Sequence, residues 1–152
     1  MDILLVRRVD AVGLAKTIGK LVPDGMRLLG LREIMLKAPS LEEQIRASIY
    51  HVEITNASLG LTEAAIAEKL KEFAERPEFV VEVAKKDRWK EVDLKQSISE
   101  IAFTPRLGLT VAIRHVPGLF VKAHQAAGAI LGQPLELGRD LRINRAGFEM
   151  DD

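Results

Sequence analysis

The chain has 152 residues, 47% of them hydrophobic and 29% charged, a composition that suits one folded domain or two small ones and excludes a disordered chain. Lys+Arg and Asp+Glu each number 22, so no global charge draws the chain to nucleic acid or a membrane surface, and any basic surface must be local. Cysteine is absent, which rules out disulfides, thiolate zinc sites and Cys-ligated clusters and fits a reducing cytoplasm; no apolar run approaches about 18 residues, so a soluble intracellular protein without membrane contact is expected.

The apolar run Ile3 to Val6 predicts a strand, and Arg7-Arg8 interrupts it too early for a signal peptide. Asp10 is placed to cap a helix that carries Leu14, Ile18 and Leu21 at helical spacing and stops at Pro23-Asp24-Gly25. Met26 to Leu36 reads as a second strand, with a bulge or strong twist around Arg32 and Glu33. Together these make a half β-α-β module over residues 1–38. Such a module cannot bury its sheet faces alone, so it needs the rest of the chain, a second chain or strands lying ahead of Met1.

Pro39-Ser40 breaks the chain and opens the second module, 39–152, with Ser40 and Glu43 forming a capping-box pattern for a helix at Leu41 to Arg46. Tyr50, Val52 and Ile54 alternate with His51 and Glu53, the signature of a half-buried strand. Thr62 caps a helix that presents Ile66, Leu70 and Phe73 on one side and ends at Arg76-Pro77. Phe79, Val81 and Val83 predict the next strand. A charged connection from Lys85 to Lys95 follows, with room for a short strand at Lys90 to Leu94 and a helical turn at Ser97 to Phe103. Leu107 to Ile113 is a third strand, Gly118 to Leu131 an Ala-rich helix, and Leu141 and Ile143 mark the last strand. The expected fold class is α+β: a ferredoxin-like split β-α-β sandwich (βαββαβ) over about residues 47–146, strand order 4-1-3-2, both helices on one side.

Three strings, "RLLGLREIMLKAPSLEEQIRASIYHVEI", "KEVDLKQSISEIAF" and "LRINRAGF", resemble in order and spacing the radical S-adenosylmethionine (SAM)-linked proteins, a bacterial domain family of unknown function. The resemblance runs over essentially the whole chain. It implies a longer protein in which "D-I-x-L", here Asp2-Ile3-Leu4-Leu5, is internal and a further strand, helix and loop precede it. It also implies a radical SAM protein as partner, with RNA as a guess at the substrate. The family has no established catalytic residues, so none carry over.

Alternation puts His51 and Glu53, Thr110 and Arg114, and Arg142 and Asn144 on the sheet face away from the helices. His51, Arg114, Arg142 and Asn144 could hold a phosphate there. No aromatic residue joins them for base stacking, and an ordinary polar face with its Arg paired to Glu53 is the alternative. Lys85, Lys86, Arg88, Trp89 and Lys90 form a second candidate, a basic loop able to grip a nucleic-acid backbone and stack one base. Its alternative is a solvated hairpin whose Trp folds back onto the core. His51, His115 and His124 have no metal-ligand spacing, and there is no phosphate-binding glycine loop and no nucleophile elbow. No catalytic residue, metal or cofactor is expected. A binding or accessory module fits best, ahead of a structural unit that dimerises through exposed strand edges and ahead of a small enzyme.

Overall fold

The computed structural model describes residues 2–85 and 88–150 and divides into two units, 1–44 and 45–152. In the first, helix α1 (Ala11–Leu21) forms as its capping residue requires: the Asp10 carboxylate accepts from Gly13 N at 2.7 Å. A one-turn helix, α2 (Leu41–Gln44), carries the reciprocal capping box. Ser40 N donates to Glu43 Oε2 at 2.7 Å, and Glu43 N donates to Ser40 Oγ at 3.2 Å. The two flanking segments expected as strands, 2–6 and 26–36, form no ladder among the described residues. Their apolar side chains, Leu4, Val6, Leu29 and Leu36 among them, are exposed. Apolar sequence supplies the propensity for a strand, but only a neighbouring strand supplies the hydrogen bonds.

The second unit begins with strand β1 (Ile45–Ile54), one residue after α2 ends. A 3-10 turn at Ala57–Leu59 leads to helix α3 (Glu63–Glu75), capped by Thr62 Oγ1, which accepts from Ala65 N at 3.2 Å. Strands β2 (Val80–Lys85) and β3 (Arg88–Asp93) form a separate antiparallel hairpin. The turn α4 (Leu94–Ser97) precedes β4 (Ile98–Thr104), β5 (Gly108–Arg114), helix α5 (Ala123–Leu131) and β6 (Leu141–Met150). The main sheet has the order β4-β5-β1-β6 and every pairing is antiparallel. Taken as the four strands of a split β-α-β unit, this is the 4-1-3-2 order, so the ferredoxin-like α+β architecture holds. Tyr50 pairs with Val111 on one side and Arg145 on the other.

One strand was misassigned. The second strand of the sandwich is β4, not the segment at Phe79 to Val83, and residues 98–104 are extended where a helical turn was expected. The cause is a bulge. Ile98 opposes Ile113 and Glu100 opposes Ala112, so one extra residue falls between them. Ile98, Ile101 and Phe103 then lie on one side of the sheet at a spacing that imitates a helix. The β2–β3 hairpin is an insertion between α3 and β4. Asp93 secures its base, accepting from Phe79 N and Lys95 N, both at 3.0 Å, and Phe73 meets Phe79 edge-to-face at 5.2 Å. These backbone donors hold the Asp93 carboxyl below its usual range, the Phe79 bond most of all.

The core lies between the sheet and its two helices. Val52, Leu109, Val111 and Leu141 from the sheet meet Ile66 and Phe73 from α3 and Ala126, Ala127 and Ile130 from α5. The Ala-rich α5 lets chain approach closely: a Cβ on Gly128 would stand 2.9 Å from Gln133 O. Leu109 has no exposed surface, and Leu109→Ala is expected to lower unfolding free energy by about 2–5 kcal/mol, read from urea denaturation.

The start of β6 is tied to the end of β1 by Asp140, which is fully buried. Its carboxylate accepts from Asn56 Nδ2 at 2.8 Å, Glu136 N at 2.9 Å and Arg139 at 3.0 and 2.9 Å, while its carbonyl accepts from Thr55 N at 2.9 Å. The Arg139 guanidinium first, then Asn56 and Glu136 N, hold this carboxyl far below the usual carboxylate range. A lowered folded pKa gives stability that is present at neutral pH and lost as pH falls below the unfolded value of about 4. Asp140→Asn is therefore expected to destabilise the protein at neutral pH and to flatten the acid side of its stability–pH curve. Urea midpoints taken from about pH 7 down to about pH 3 check this.

Candidate functional site

The open sheet face carries the residues that alternation assigned to it, but they do not form one patch. His51 stands between Thr110 and Asn144 in register, and His51 Nδ1 is 3.0 Å from Thr110 Oγ1. Arg142 opposes Glu53 and pairs with it at 3.8 Å. Arg114 is four residues beyond Thr110, about 13 Å along the strand. Its NH1 donates to the carbonyls of Lys95 and Gln96 at 3.2 and 3.1 Å. So His51, Asn144 and the Glu53–Arg142 pair are together, while Arg114 belongs to the end of the sheet.

In the hairpin, Lys85 ends β2 in register with Arg88, and Lys86 lies outside the described residues. Paired residues of an antiparallel ladder share a face, which sorts the rest. Val81, Val83, Lys90 and Val92 point towards the core, with Val83 and Val92 buried and Lys90 Nζ donating to Gly118 O. Val80, Glu82, Ala84, Trp89 and Glu91 point outward. Trp89 is 72% exposed, so it does not fold back. Glu82 and Glu91 face each other across the ladder, and neither forms an ion pair among the described residues. The hairpin thus separates the indole, which shares its side with two carboxylates, from the cation Lys90.

A cleft of about 710 Å3 opens on the helix side of the sheet. It lies between the β5–α5 connection, the middle of β1 and β6, and Leu137. Sequence reasoning missed it because residues 118–122 were assigned to the following helix. They form a loop instead: Val116 bridges Leu119, Gly118 adopts φ 80°, and α5 starts at Ala123 with Gln125 Oε1 accepting from Lys122 N at 3.1 Å. Ser48 is buried at the cleft and lies 2.8 Å from His115 Nε2, and His115 N donates to Arg46 O at 2.7 Å. The lining includes Arg114, Lys122 and Arg145 and contains no carboxylate. Alternation from Leu141 through Ile143 puts Arg145 on the helix side, and a second bulge after it brings Phe148 to the same side. Tyr50 opposes Arg145 and Ile49 opposes Gly147, so Arg145 and Phe148 share the helix side, the guanidinium 5.0 Å from the ring centroid. The signal in the sequence that could have found Arg145 is the alternation that continues from Leu141 and Ile143.

Among the described residues no three His, Asp or Glu side chains converge on a possible metal position, and no helix is long and apolar enough to cross a membrane.

The fold is of the α+β class with a ferredoxin-like sheet. The chain belongs to a family described as an uncharacterized protein conserved in bacteria (DUF2344), whose profile matches residues 1–125. No curated protein and no solved structure matches the chain.

His124, half-buried on α5, titrates below its ordinary value, first because burial disfavours the imidazolium and then because Lys122 repels it. The unfolded chain then binds more protons near the ordinary value of about 6.5, so stability falls as pH drops through that region. His124→Gln is expected to remove part of this slope between about pH 7 and pH 5, measured by thermal melts across the range.

Proposed function

We propose that the chain is a non-catalytic binding module that works with a radical SAM protein and holds that enzyme's substrate, an RNA or another anionic molecule. The partner class comes from the sequence resemblance. The observation that carries the accessory role is the outer side of the β2–β3 hairpin. A 72%-exposed Trp89 stands there beside Val80 and two carboxylates that find no cation among the described residues. Like charges directly opposed on a ladder destabilise it, and a large exposed aromatic is a characteristic interface anchor. Both features suit a partner surface that presents basic groups around an apolar pocket.

An RNA strand draws little support from the sheet face, where Glu53 neutralises Arg142 and no aromatic ring is available. Lys122 and Arg145, which form no ion pair among the described residues, are in the lining of the cleft.

Calorimetric titration of the chain with the radical SAM protein of the same bacterium tests the docking role. Trp89→Ala is expected to weaken binding about 30-fold, and Arg142→Ala to leave it unchanged. Equal binding by the wild type and Trp89→Ala would remove the hairpin from the reading.

A further inference from the structure

We propose that the cleft between the β5–α5 loop and strands β1 and β6 binds a small organic phosphate carrying a planar ring, such as a nucleotide unit. This names the ligand class of the module but does not depend on its partner, because the isolated chain would bind it.

Charge comes first. In a chain with equal numbers of acids and bases, the cleft lining includes Lys122 and Arg145 and no Asp or Glu; Arg114, at its end, pairs with Ala47 and so faces the open side of the sheet. Neither Lys122 nor Arg145 forms an ion pair among the described residues. Arg114 NH1 is held by the carbonyls of Lys95 and Gln96, which are not part of the lining, so the charge of the cleft is that of Lys122 and Arg145. Arg145 lies against the Phe148 ring, which fixes the plane of the guanidinium and leaves its edge donors available. A phosphate monoester, at about −1.5 to −2 near neutral pH, balances such a set better than a single carboxylate and accepts from a guanidinium fork in bidentate fashion.

Shape comes second. The cleft, about 710 Å3, falls within the range of small-molecule sites. Tyr50 and Phe120 place aromatic rings in the same lining, with Leu137 and Ile143 beside them. Phe120 and Leu137 are 63% and 61% exposed, an apolar rim with nothing of the described chain upon it. An inorganic ion would use the cations and waste this wall; a neutral ring would use the wall and leave the two cations without a counter-ion.

The floor is preorganised. Ser48 is buried and bonded to the His115 imidazole, and the backbone N–H of His115 donates to Arg46 O, so one contact orients the ring and the other holds its backbone. A neighbouring groove lined by Lys90, Phe120 and Lys122 continues from the rim and leaves room for a substituent on the ligand.

The test is titration of the full chain with adenosine 5′-monophosphate, adenosine and inorganic phosphate, followed by amide chemical shifts and calorimetry. The nucleotide is expected to shift the signals of Ser48, His115 and Arg145 and to bind more tightly than either fragment. Exposed Lys122 is replaceable without loss of packing, and Lys122→Ala is expected to weaken nucleotide binding about tenfold while leaving the melting temperature in place. Phe120→Ala is expected to weaken the nucleotide and leave phosphate unaffected. The proposal is overturned if the nucleotide fails to bind at millimolar concentration, if its shifts map away from the cleft, or if phosphate or adenosine alone binds as well as the nucleotide. A failure of the radical SAM titration with success here would remove the partner and keep the ligand.

Discussion

A buried carboxylate at the head of the last strand holds the second unit in register. Asp140 accepts from Asn56 at the exit of β1, from Glu136 N in its own loop and from its neighbour Arg139, and it leaves no acceptor position facing apolar surroundings. A charge in such a place is tolerable only when fully satisfied. Satisfying it brings the end of β1 and the start of β6 together before either strand continues. Glu53 then meets Arg142, Val52 meets Ile143 and His51 meets Asn144. The sheet face and the cleft are both set by that alignment, since Arg145 reaches the helix side only when β6 begins where it does.

Much of this architecture was readable because alternation survives wherever a strand has one wet face and one dry one. β1 and β5 are such strands, and their residues fell on the expected sides. Legibility failed where one residue too many entered a ladder. Between Ile98 and Glu100 the extra residue turned a period of two into an apparent helical spacing, so β4 was hidden and the hairpin strand β2 was mistaken for it. The first unit failed for the opposite reason: the pattern of apolar residues was present, but pairing is a tertiary property that no single segment contains. The cleft was missed because Gly118 to Lys122 shows helix-compatible residues, whereas its positive-φ glycine commits the chain to a turn.

Net neutrality conceals a division of charge within the second unit. The cleft lining holds Lys122 and Arg145 without a carboxylate, while the outward side of the hairpin gathers two carboxylates around an indole and turns Lys90 inward. Neither grouping helps the fold, since like charges close together oppose it. Groups that cost stability and persist as clusters are more readily explained by what they bind than by what they hold together.

Lys90 belongs to the hairpin, yet its ammonium is anchored on the carbonyl of Gly118, in the loop that walls the cleft. A charge-assisted bond of this kind is among the stronger contacts available to an otherwise lightly packed loop. For the wall to swing outward, the hairpin must release it or travel with it. On the proposed reading of the cleft, the rate at which a captive molecule escapes would follow the breathing of a strand that lies outside the floor of its chamber.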